Sequence, residues 1–155
     1  MATPDSLIFR DARPEDLAAL LDIMADDGKS PEPVPFDAND PCHRAALEEI
    51  DASPSDRLIV VERDGAIVAT FHPTIIPSFG PKAAKRLLLE AVFVHKDFRG
   101  AGIGAEILRW TEDWAATNEC RLIVLTSDRI RDGRAKRFYE SHGFAHTHFG
   151  MRKRL

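Results

Sequence analysis

The chain has 155 residues, 44% of them hydrophobic and 30% charged, which fits one globular domain over residues 1–155 that buries roughly two thirds of its unfolded surface. A formal net charge of −4 gives no global basic field for nucleic acid or an anionic membrane; with no apolar run of ~20 residues and no charged-then-apolar leader in MATPDSLIFR, a cytoplasmic location is expected. Cys42 and Cys120 have neither disulfide framework nor metal-ligand spacing, and the six histidines show no H-x-x-x-H pattern, so free thiols and no metal are expected.

Residues 7–10 read as a first strand. Arg13-Pro14-Glu15-Asp16 then starts a helix, with Pro14 near its first position and two acids at its positive end. Leu17, Leu20, Leu21 and Met24 give it a stripe of about 12 residues, ending near Asp27-Gly28. Residues 28–41 hold four of the ten prolines and read as a loop. Asp26, Asp27, Glu32, Phe36 and Asp37 in and beside it could face an ammonium group; a solvated acidic loop accounts for them more simply. Residues 43–52 form a second helix on Ala46, Leu47 and Ile50.

Residues 57–62 and 66–71 read as a hairpin joined by Asp64-Gly65 in a primed turn, its second strand ending near Ile76 in an irregular, proline-rich loop. Lys82, Lys85 and Arg86 follow, a basic cluster that suits either solvent or a phosphate. Residues 86–94 are apolar enough for a central strand, and Glu90 breaks the run. A buried carboxylate there needs a partner, solvent or a chemical role.

Residues 87–108, LLLEAVFVHKDFRGAGIGAEIL, join that strand through a glycine cluster to an amphipathic helix over 102–117. A helix start exposes unpaired N–H groups and partial positive charge, and glycines at 100, 102 and 104 let a phosphate approach them. Arg99 adds a planar cation at the rim. No Lys-Ser or Lys-Thr pair follows, which excludes a Walker A loop. Gly100, Gly102 and Ala105 satisfy the loose dinucleotide pattern, but about 85 residues precede the strand and about 50 follow Gly104, the wrong place for a first βα turn. Trp110 and Trp114 share a helix face and are expected to fill core. Residues 121–126 form a strand parallel to the central one through a right-handed crossover. A helix over 134–142 follows, Gly143 ends it, and residues 144–146 and 149–154 are expected to close the sheet.

R-x-x-G-x-G over Arg99, Gly102 and Gly104, after Val92-Phe93-Val94, resembles the acetyl-CoA signature of the GNAT superfamily of N-acetyltransferases. AKRFYESHGF at 135–144 resembles that family's later A-x-x-F-Y-E-x-x-G-F segment. The resemblance implies an α/β fold of the α+β kind: a mixed, mostly antiparallel sheet of six or seven strands, about four helices on both faces, and a splayed central parallel pair. It implies acetyl-CoA as acyl donor, held by Val92, Phe93, Val94, Arg99, Gly100, Ala101, Gly102, Ile103, Gly104 and Phe138. It implies Glu90 as the base, directly or through water, and Tyr139, the single tyrosine, as proton donor to the leaving thiolate. A Glu90 paired with arginine or turned out at a bulge, and a Tyr139 that only packs on CoA, are the structural alternatives. Asp132, where many relatives have asparagine, departs from the pattern and weakens any direct cofactor contact there. An acetyltransferase for a small-molecule or peptide amine follows from the resemblance, with homodimerisation common in the family. A silent acyl-CoA-binding module and a nucleotide-binding oxidoreductase fragment are the other readings.

Overall fold

In the computed structural model, which describes residues 6–25, 37, 39–127 and 133–155, the elements run β1 (Ile8–Asp11), α1 (Leu17–Ala25), α2 (Pro41–Ala52), β2 (Ile59–Arg63), β3 (Ala66–Ile76), β4 (Lys85–Val94), α3 (Ile103–Thr117), β5 (Cys120–Leu125) and α4 (Arg134–Ser141). The chain divides into two compact units, Met1–Val124 and Leu125–Leu155. One mixed sheet runs β1-β2-β3-β4-β5, and its first three pairs are antiparallel. Asp64 and Gly65, at φ 52° and 78°, make the expected two-residue primed turn between β2 and β3, because that turn needs both residues on the positive side. Short 3-10 turns lead into α1 and follow β4.

The pleat sorts side chains between two helical layers. Phe9, Val61 and Ala69 are register partners, as are Ile59 and Phe71. Alternation puts these on one face, where Phe9 stacks on Trp110 of α3 at 6.3 Å and Phe71 meets it edge-on at 5.2 Å. Arg10, Val60 and Thr70 point the other way. There Val60 joins a core cluster with Leu17 and Leu20 of α1 and Leu47 of α2. Helices therefore cover both faces. Two buried hydroxyls are satisfied by carbonyls, Thr70 Oγ1 donating to Ile59 at 2.9 Å and Thr111 Oγ1 to Ile107 at 2.8 Å.

Each face is pinned by one arginine. Arg10 donates to both oxygens of Asp16 at 2.7 and 3.0 Å and through Nε to Glu62 at 2.8 Å, while Asp16 also accepts the Arg13 N–H at 2.7 Å. On the α3 face Arg57 grips Asp11 at 2.8 and 2.7 Å and lies over the Trp110 and Trp114 rings at 5.4 and 6.0 Å. The two tryptophans stack at 5.9 Å as expected but are half-buried under this guanidinium, at the rim of the core instead of inside it.

The sheet has five strands, fewer than the six or seven expected. Residues 144–155 carry the missing ones and are not in strands; almost all are exposed, and among the described residues their backbone bonds are local, Phe144 N–H to Tyr139 at 3.1 Å and Thr147 N–H to Ala145 at 3.0 Å. Apolar alternation alone does not make a strand without a neighbour to supply the ladder. The end of the first helix and the loop at 28–36 lie outside the described residues. No described helix is long and apolar enough to cross a membrane.

The Arg10 hydrogen bonds hold the Asp16 carboxyl below its ordinary range against the opposing effect of burial. A depressed folded-state value means stability that is full above the unfolded value and lost as pH falls through the folded one. Asp16→Asn is expected to cost about 3 kcal/mol at neutral pH, with the gap to the unaltered protein narrowing in acid, as read by urea unfolding at both pH values.

Candidate active site

Strand β4 carries one residue more than its partner. His72 pairs with Glu90 and Thr70 with Phe93, so Ala91 and Val92 together stand opposite Phe71. This is a β-bulge, and Ala91 sits in it at φ +49°, a conformation L residues seldom adopt. The extra residue restores the alternation, so that Glu90 and Phe93, three apart, share the face of His72 and Thr70. Leu87 and Leu89 are buried and anchor the strand, whereas Glu90 is exposed. The expectation of a buried Glu90 is thereby corrected: it follows buried Leu89 in the pleat and so takes the opposite face, where it is exposed, and among the described residues its carboxylate has no hydrogen-bond or ion-pair partner.

The glycine turn follows directly. Gly100 and Gly102 both lie at φ +81°, and a Cβ on either would meet nothing within 4 Å, so both the backbone twist and the open space are real. Gly102 is the N-cap of α3 and gives the helix start no side-chain cap. A fifteen-residue helix therefore presents uncapped N–H groups beside two bare glycines. Arg99 folds back to donate from Nε to the Val94 carbonyl at 3.0 Å, tying the turn to the end of β4. An open cleft of about 620 Å³ lies on the β1 side of this start, bordered by Phe9, Arg63, Ala101, Gly102, Ile103 and Glu106.

A polar cluster that the sequence did not announce lies beside Glu90. After α2, the backbone at 55–57 runs along β3, with Ile75 N–H donating to Ser55 at 2.8 Å and Arg57 N–H to Pro73 at 3.2 Å. This delivers Asp56 to the His72–Thr74 face. Asp56 Oδ1 accepts the Thr74 hydroxyl at 2.6 Å and lies 3.2 Å from His72 Nε2, and Oδ2 accepts the Ser53 hydroxyl at 2.6 Å. Burial works against the ionised carboxyl, yet these hydrogen bonds together hold it below its ordinary range. The H-x-T alternation in β3 was a visible signal for one shared face; the carboxylate came from a segment distant in sequence.

In the second unit, α4 opens on Gly133 at φ +72° and closes on Gly143 at φ +85°. Phe144 N–H bonds to the Tyr139 carbonyl and Gly143 N–H to Glu140, both at 3.1 Å, with the Tyr139 and Phe144 rings 5.6 Å apart. That is a Schellman ending with its hydrophobic contact, and it orients Tyr139. Phe138 and Tyr139 are half-buried neighbours, ring centroids 5.2 Å apart. Asp132 lies outside the described residues.

The model of the acetyltransferase (GNAT) family matches residues 17–144. No curated protein matches the chain in sequence. Among solved structures, the chain is similar to a transcriptional regulator from Bacillus halodurans C-125, with 30% identity and a TM-score of 0.90 over 97% of this chain and 100% of that one. It is similar to a putative acetyltransferase from Agrobacterium tumefaciens, with 27% identity and a TM-score of 0.81 over 96% and 99% of the two chains. A glucosamine-6-phosphate N-acetyltransferase from Arabidopsis thaliana shares the fold at 20% identity, with a TM-score of 0.77 over 97% and 99%.

The bulge makes a direct prediction. Ala91→Gly is expected to leave stability within about 0.5 kcal/mol, as relieved backbone strain offsets the added unfolded-state entropy, while the β-branched Ala91→Val costs about 2 kcal/mol, both by urea unfolding.

Proposed function

Because this chain belongs to the GNAT acetyltransferase family, we propose that it moves an acetyl group from acetyl-CoA to the primary amine of a small molecule or peptide, by direct attack in a ternary complex. The observation that carries the reading is the turn at Gly100 and Gly102, uncapped and open at the head of α3, immediately after the bulged strand β4. Its free N–H groups and the missing Cβ atoms suit a pyrophosphate. Arg99, Ala101, Ile103 and Gly104 complete the cradle. A parting of β4 from β5 beyond Val92 would offer backbone groups of Val92, Phe93 and Val94 to the pantetheine arm, with a Phe93 or Val94 N–H polarising the thioester carbonyl. Phe138 packs on the cofactor in this reading.

An alkylammonium holds its proton at neutral pH, so transfer needs a group to receive it. Glu90, exposed and unpaired among the described residues, is the carboxylate toward which the ammonium is drawn, directly or through water. Tyr139 gives its proton to the sulfur as the C–S bond breaks, so that the leaving group departs as the thiol. Neither cysteine suits an acyl-enzyme route. The Cys42 thiol is pushed up by its hydrogen bond with Asp40, and burial pushes up that of Cys120, so both favour the less nucleophilic thiol. Sugar amines such as the one named for the Arabidopsis neighbour belong in the acceptor panel, with polyamines, aminoglycosides and lysine peptides. The cytoplasm and a homodimer remain the setting this reading expects.

Thiol release from acetyl-CoA across that panel tests the proposal. Release with one amine class is expected, lowered at least about tenfold in kcat/KM by Glu90→Gln or by Tyr139→Phe. Acetyl-CoA binding without release from any amine would favour a silent module, and no binding would overturn the reading.

A further inference from the structure

We propose that His72, held by Asp56, is the group that takes the proton from the acceptor ammonium, while Glu90 holds that ammonium by charge. This rests on the acetyltransferase reading above and assigns a residue that the sequence motifs do not include.

Three observations support it. First, His72 and Glu90 are direct cross-strand partners on one sheet face, so their Cβ atoms stand about 5 Å apart and one ammonium can touch both side chains. Second, the Asp56 carboxylate is already committed. It accepts hydroxyls from Ser53 and Thr74 at 2.6 Å each, and its Oδ1 faces His72 Nε2 at 3.2 Å. An ionised oxygen opposite Nε2 selects the tautomer with the proton on Nε2, which leaves the lone pair on Nδ1. Third, Nδ1 has no hydrogen-bond partner among the described residues, and the side chain is 24% exposed, so the lone pair can be reached.

The surroundings favour this charge change. Among the described residues the charged groups on this face of β3 and β4 are Asp56, Glu90 and, further along, Arg86, the register partner of Ile76. Helix α1, which packs on both strands, brings one charge, the exposed Asp22. An imidazolium at His72 therefore forms between two carboxylates.

The acceptor enters as R–NH3+, and one N–H bond breaks as its proton passes to His72 Nδ1. The freed nitrogen lone pair forms the C–N bond at the thioester carbonyl carbon, and the C–S bond breaks with its electron pair leaving on sulfur. The second proton lost by nitrogen balances the one gained by the thiolate. One net proton remains on the imidazole and returns to solvent.

The test is the pH profile of kcat/KM for the best amine of the panel, from about pH 5 to 9, with acetyl-CoA affinity measured alongside. The unaltered protein is expected to lose activity on the acid side as one group is protonated. His72→Gln should lower kcat/KM by roughly 100-fold at neutral pH and remove that acid limb, with acetyl-CoA affinity within about twofold. Asp56→Asn, which keeps the volume and tests the proposal even if His72→Gln fails to fold, should move the limb to lower pH, because the imidazolium loses its facing carboxylate. Glu90→Gln should act mainly on KM for the amine and keep the limb. An acid limb retained in His72→Gln, unmoved in Asp56→Asn, or abolished only in Glu90→Gln would overturn the assignment while leaving the transferase intact. An unaltered protein that turns over no amine would instead sink the activity on which it rests.

Discussion

One extra residue in β4 sets the position of most of the chemistry in the first unit. A strand alternates strictly, so without the bulge the partner of Thr70 would be Val92, and every residue beyond it would change face. With Ala91 and Val92 both set against Phe71, the strand instead keeps Leu87 and Leu89 in the α3-facing core and presents Glu90 and Phe93 together on the opposite side. The cost is a non-glycine residue at positive φ, on the order of 1–2 kcal/mol. Such strain is held only where the surroundings determine it, here by the register of β3 on both sides of the bulge.

The frame that holds this register is electrostatic at its edges and aromatic or aliphatic within. Adjacent residues of β1 point to opposite faces and each meets an arginine network: Arg10 ties the start of α1 to β2, and Asp11 ties the segment after α2 to the tryptophan pair of α3. The second tie matters for the candidate site. Arg57 is fixed on the α3 side, so its neighbour Asp56 emerges on the other, against His72 and Thr74. A surface ion pair of this kind contributes little to stability by itself, but it fixes the side of the sheet on which Asp56 emerges.

Local signals in the chain predicted local structure well. Asp64-Gly65 specified its turn because few residues tolerate two positive φ angles in succession, and Gly143 specified the end of α4 for the same reason. The glycines at 100 and 102 likewise specified a positive-φ turn at the head of α3. Reading Glu90 as buried failed because the apolar run suggested a strand covered on both faces, whereas the face opposite Leu87 and Leu89 is open at Glu90. The closing strands at 144–154 failed because alternation describes a face and says nothing of the neighbour that must pair with it.

By itself, then, the sequence determined the family, the order of the main elements and the glycine turn that opens α3, all of which depend on residues close together in the chain. Only the tertiary structure decided that Glu90 faces outward, that the tryptophans lie at the rim under Arg57, and that Asp56, His72 and Glu90 converge. Those facts depend on strand register and on a segment brought alongside β3 from sixteen residues away, and neither periodicity nor spacing encodes which distant residue will arrive.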